Sequence, residues 1–249
     1  MLISIEWFRL FFIQMKYHYY IKLIVFTLFF IACSDSNEGT SNVPQINPKK
    51  CIVLGNSITL HGINSYWWGE WGMAASTREN DFVHKLESKI NSRGLNYVCT
   101  PVNIANWETS LDLNSVNFSA LKIADYDVVV IRLGENISDD VESEVCEMAL
   151  KELISSIKKQ NKDIKIYMTG VFWPNASKET AIKNAASLEN VKYINIDKFY
   201  TNENMHTLGD QVYGDDGLLH TIEHGGVAAH PNDLGMEAIA EEIFIAMFP

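Results

Sequence analysis

Residues 50–59 read KCIVLGNSIT, an apolar run that stops at a glycine, an asparagine and a serine. Cys51 to Leu54 read as a strand, and Gly55, Asn56 and Ser57 as the turn that ends it. A serine in that turn is presented by rigid backbone at the carboxyl edge of a sheet, where open α/β folds take their ligands. Further strand signals lie at Tyr97 to Ile104, Asp127 to Leu133, Ile164 to Thr169 and Val191 to Ile196, with segments of helical periodicity between them. Between the third and fourth, Val141, Val145, Ala149, Leu153 and Ile157 fall on one helical stripe whose lysine-rich end suits the helix dipole. Strands alternating with helices predict an α/β fold, a parallel sheet covered on both faces.

At the far end of the chain, residues 230–244 read HPNDLGMEAIAEEIF. Pro231 separates His230 from a helix capped by Asn232 or Asp233, with Met236, Ile239, Ala240 and Ile243 on its buried face. A histidine there is held firmly and still faces the site. Serine, histidine and oriented donors for a carbonyl oxygen are what ester hydrolysis needs.

With Gly134, Glu135 and Asn136 of VVVIRLGEN (residues 128–136), these blocks resemble the SGNH (GDSL-like) hydrolase family from about Lys50 to the C-terminus. Gly55, Asn56 and Ser57 match its GDS-type turn with Asn56 in place of the usual aspartate; Gly134 and Asn136 match its Gly-x-Asn block; His230 and Pro231 match its terminal His-Pro. The resemblance implies a three-layer α/β/α sandwich with a five-stranded parallel sheet of flavodoxin-like order. It also implies Ser57 as nucleophile, His230 as base, and an oxyanion hole from the N–H of Ser57, the Asn136 amide and the N–H at Trp107. Trp107 stands where the family has a glycine when VNIANWETS (residues 102–110) is lined up by its asparagine and its Thr-Ser end. The usual aspartate three residues before the histidine is replaced by Val227. The orienting acid is therefore open among Asp215, Asp216 and Glu223, near in sequence, and Glu108 and Glu135, near in space if the blocks converge; a backbone carbonyl is the other possibility.

The chain has 249 residues, 47% of them hydrophobic, enough for one sizeable domain over residues 49–249. Residues 1–32 hold three basic residues and one acidic one, so the remainder carries 17 basic against 30 acidic side chains, net −13. Such a surface repels nucleic acid and anionic membranes. Residues 1–33 read as a targeting segment: Lys16 and Lys22 precede the apolar LIVFTLFFIA, and Ala32 precedes Cys33. This resembles a bacterial lipoprotein signal with Cys33 lipidated and Met15 as a plausible start; an uncleaved anchor is the alternative. Either places the domain outside the cytoplasm on a membrane tether, with residues 34–48 as a flexible spacer. Cys51, Cys99 and Cys146 give no zinc spacing and no disulfide framework, and are expected as buried thiols, although Cys51 and Cys99 could meet on neighbouring strands.

Two other segments bear on function. HGINSYWWGEWGMAAS (residues 61–76) follows the serine, and Trp67, Trp68 and Trp71 there either stack on a sugar or form a small satellite core. HTIEH (residues 220–224) matches a zinc peptidase pattern, but Gly225 and Gly226 break the helix it needs, so no metal or organic cofactor is expected. The expectation is a serine esterase acting on a small-molecule or glycan ester, such as an O-acetyl group on carbohydrate. A lipase or thioesterase is the alternative within enzymes, and a non-catalytic glycan-binding protein the alternative outside them.

Overall fold

The computed structural model describes residues 47–249; the expected targeting segment, Cys33 and most of the expected spacer lie outside the described residues. In chain order the elements are β1 (Lys49–Gly55), α1 (Phe82–Ser92), β2 (Tyr97–Asn103), α2 (Ala105–Ser110), α3 (Phe118–Leu121), β3 (Val128–Arg132) and α4 (Ser143–Gln160). They continue with β4 (Lys165–Thr169), α5 (Ala176–Leu188), β5 (Lys192–Ile194), the short β6 (Gln211–Tyr213) and β7 (Leu219–Thr221), α6 (Gly225–Ala228) and α7 (Asp233–Met247).

The five main strands form one parallel sheet in the order β2-β1-β3-β4-β5, the flavodoxin-like order, with every carboxyl end on one edge. Between their charged ends the central strands β1 and β3 are apolar, Cys51 to Leu54 and Val128 to Ile131, because helices cover both faces, and successive side chains alternate between them. Cys51, Val53, Val128 and Val130 pack on one side with Phe82, Leu86 and Ile90 of α1 and Met236, Ile239 and Ile243 of α7. Ile52, Leu54, Val129 and Ile131 pack on the other with Leu150, Leu153 and Ile157 of α4 and Ile182 and Ala185 of α5. Each such fully buried aliphatic side chain contributes about 1.5–3 kcal/mol over its exposed state.

On α4 the expected stripe is rotated: Val145 is exposed, and Cys146 and Leu150 face the core with Ala149, Leu153 and Ile157. On α7 the buried face is the expected one. Its cap is Asn232, whose side chain accepts from the N–H groups of Leu234 and Gly235, while Asp233 instead accepts from the backbone and hydroxyl of Ser76. Cys51 and Cys99 lie directly opposite in the β1–β2 register as free, buried thiols. The antiparallel pair β6–β7 has no counterpart in the expected elements; its strands are three residues each, too short to show a period.

Two glycines bring the carboxyl edge into shape. A Cβ at Gly55 would collide with the Thr59 side chain and press on the Arg132 carbonyl. Gly134 has φ of 138°, outside what L side chains adopt, and a Cβ there would lie 2.6 Å from Val171 Cγ1. The chain can therefore turn sharply after β1 and after β3, delivering Ser57 and Asn136 to one cleft.

Candidate active site

Ser57 begins a tight turn in which the Asn56 carbonyl accepts from the N–H groups of Thr59 and Leu60 and the Asn56 side-chain oxygen accepts from that of Ile58. Asn56 is fully buried. Its amide donates to Glu108 Oε1 at 3.1 Å and to Glu135 Oε2 at 2.7 Å, and its oxygen also accepts from Arg132 Nη1 at 2.8 Å. This explains the departure from aspartate: a third carboxylate would face Glu108 and Glu135 with one guanidinium to balance all three, whereas an amide donates to both acids and accepts from the base.

His230, at the end of the loop before α7, is buried, and its Nε2 lies 2.8 Å from Ser57 Oγ. Its Nδ1 lies 2.6 Å from the Gly226 carbonyl oxygen. A carbonyl only accepts, so Nδ1 carries the proton and Nε2 is left as the acceptor for the serine hydroxyl. Burial pulls the imidazole down to about 4; the Gly226 carbonyl and the Glu135 charge oppose the fall, and Arg132 and His61 add to it. The ring is therefore a neutral base at neutral pH. Trp173 packs edge-on against it, with ring centroids 5.0 Å apart, and donates its indole N–H to the Ala229 carbonyl.

The Asn136 side chain lines the same cleft as Ser57 and His230. One amide hydrogen goes to Glu108 Oε2 at 2.6 Å, which leaves the other for the cleft. Trp107 does not take the place expected of it. Its N–H donates to the Ile104 carbonyl inside the first turn of α2, and its ring is fully buried under the sheet. The residue before it, Asn106, lines the cleft. Among the hydrogen bonds of the described residues, the N–H groups of Ser57 and Asn106 have no acceptor. The alignment by the asparagine and the Thr-Ser end could not show that the Trp107 N–H is taken up in this way, because it does not show that α2 begins at Ala105.

No family model matches the chain, and no curated protein matches it. Its fold is similar to that of the psychrotrophic esterase EstA from Pseudoalteromonas sp., with a TM-score of 0.54 and 15% identity over 80% of this chain and 96% of that one. It is similar also to a carbohydrate esterase family 3 protein from Talaromyces cellulolyticus, with a TM-score of 0.53 and 17% identity over 80% and 96%. A third likeness is an acetyl xylan esterase from Geobacillus stearothermophilus, with a TM-score of 0.51 and 13% identity over 80% and 94%. The fold is that of the SGNH hydrolases.

In this SGNH fold the carboxylates weighed as orienting acids all lie elsewhere. Asp216 pairs with His220, Asp215 with Arg78 and the Glu70 N–H, Glu223 is exposed, and Glu108 and Glu135 sit beneath the nucleophile turn. Val227, at the usual position of the acid, is buried in the core. Burial and then the Glu135 charge push the Glu108 carboxyl above the usual range, while the N–H donors from Gly134, Asn136 and Asn56 pull the other way. Burial also opposes ionisation of Glu135, but the Arg132 guanidinium and the donors from Phe172 and Asn56 outweigh it and hold that carboxyl below its ordinary range.

The tryptophans of the loop after Ser57 turn away from the cleft. Trp67 and Trp71 are buried against each other edge to face, and Trp68 stacks on His220, so the satellite-core reading holds for this loop. The cleft, about 370 Å³, is rimmed instead by His61, Tyr66 and His224, with Tyr66 and His224 stacked at 4.5 Å. The HTIEH pair is split: His220 lies in β7 while His224 caps α6, each ring on a different aromatic partner. Sequence reasoning missed the Arg132–Glu135 pair, although a charged residue closing the otherwise apolar strand VVVIR was a usable signal.

Proposed function

We propose that this chain is a serine-dependent carboxylic-ester hydrolase that removes acetyl or other short acyl groups from carbohydrate. The observation that carries the reading is the 2.8 Å approach of Ser57 Oγ to His230 Nε2 in a cleft that also receives the Asn136 amide. Ser57 Oγ attacks the ester carbonyl as His230 Nε2 takes its proton. The oxygen that becomes negative is met by the N–H groups of Ser57 and Asn106 and the Asn136 amide, all fixed before reaction. The imidazolium, steadied by the Gly226 carbonyl, protonates the leaving alcohol. Water then enters by the same route and releases the acid from the acyl-serine.

The cleft lining supports a short acyl group on a hydroxylated alcohol: Met73 and Val227 supply apolar surface, and Asn103, Asn106 and Thr109 line it with groups suited to hydroxyls. Similarity to proteins named as a carbohydrate esterase and an acetyl xylan esterase points the same way. The lipoprotein-type segment supports an extracytoplasmic, membrane-tethered enzyme. The test is turnover of p-nitrophenyl acetate by the full chain and by Ser57→Ala. A fall of at least about 10³-fold is expected; equal rates in the two proteins would mean the cleft binds without catalysing, as a glycan-binding protein would.

A further inference from the structure

Glu108 is almost fully buried, 1% exposed, and its two oxygens have separate duties. Oε1 accepts from the Gly134 N–H at 2.5 Å, the Asn56 amide at 3.1 Å and the Asn136 N–H at 3.4 Å, tying together the turns after β1 and β3. Oε2 accepts from Asn136 Nδ2 at 2.6 Å. A carboxylate can only accept from that amide, which fixes the NH₂ face of Asn136 toward Glu108 and, because the amide is planar, sends its second hydrogen in one direction.

We infer that Glu108 is the positioning residue of the oxyanion hole, holding the Asn136 amide so that its second N–H points at the place the ester oxygen will occupy. The inference rests on the esterase reading above and adds to it a residue that touches no substrate. Asn136 is itself exposed at the end of its turn, and no other side chain among the described residues bonds its amide. Without Oε2 the amide would have to find its direction at the moment of reaction, losing the preorganisation that makes such donors effective.

Glutamine at position 108 separates the two duties. Its single oxygen satisfies the most donors by staying with Gly134 and Asn56, which turns its NH₂ toward the NH₂ of Asn136, donor against donor. Neutralising Glu108 leaves Arg132 and Glu135 as a balanced pair, so the charge beneath the turn is not upset.

The experiment is a double-mutant cycle on the full chain with p-nitrophenyl acetate: unmodified protein, Glu108→Gln, Asn136→Ala and both together. Expected are a kcat lower by roughly 10- to 100-fold for Glu108→Gln with KM within about twofold, and by about 10²- to 10³-fold for Asn136→Ala. In the Asn136→Ala background, Glu108→Gln should then change kcat less than about twofold. A full Glu108→Gln loss in both backgrounds, or a loss carried by KM, overturns the positioning role and leaves a structural one. If the glutamine variant does not melt cooperatively, Glu108→Asp, which keeps the charge but cannot span both partners, replaces it in the same cycle with the same criteria. Turnover that survives Ser57→Ala would overturn the esterase reading itself; multiplicative losses in an enzyme that needs Ser57 overturn only the inference.

Discussion

The two halves of the cleft are built from opposite materials. Beneath Ser57 and Asn136, four buried polar side chains, Asn56, Glu108, Arg132 and Glu135, bond one another and the backbone of three strand ends. Around His230 there is one carbonyl, one tryptophan edge and apolar packing. The first half must hold several donors at fixed angles, a task for charged hydrogen bonds. The second must keep one ring in one tautomer and neutral, and a nearby carboxylate would have raised its proton affinity instead.

Disturbing the polar half should do the most damage. Asn56→Asp removes the donors to Glu108 and Glu135 and adds a third negative charge beside Arg132, so a loss of about 3–5 kcal/mol is expected in denaturant melts. An unchanged melt would mean the network carries no weight in the fold. The histidine half is sharpened by pH. With His230 pulled down to about 4, the neutral base persists in mild acid, and kcat/KM should fall tenfold per pH unit only below about 4. An acid limb between 6 and 7 would show instead that some acid reaches the ring. The smallest effect is expected at Trp173→Phe, which keeps an aromatic edge on His230 but deletes the hydrogen bond to Ala229: about 1 kcal/mol, or roughly a fivefold loss in kcat.

The sequence made the sheet legible because its central strands are short apolar runs bounded by glycine or charge. The expected Asp127 to Leu133 and Ile164 to Thr169 differ by a residue at most from Val128–Arg132 and Lys165–Thr169. Ser57 and His230 stood out because Gly55 ends β1 two residues before the one and Pro231 separates the other from α7. Trp107 was misplaced because motif alignment fixes letters, while the free N–H depends on where α2 starts. Glu108 was legible only as one of five candidate partners for His230, not as a partner of Asn136. Its partners come from segments 26 to 52 residues away, and no local pattern announces a carboxylate that will be buried by such distant donors. The tryptophans misled for a related reason, since side-chain type predicts burial only on average and Tyr66, the less apolar neighbour, is the one that faces the cleft.

The lock on the base is main chain, at Gly226. An amide oxygen neither titrates nor disappears when a codon changes, so the loop before α7 is free to drift in sequence while the ring keeps its tilt. Only a change in the path of the chain can undo it. That tolerance removes the need for an acid three residues before His230, and lets a valine there serve the interior of the protein instead.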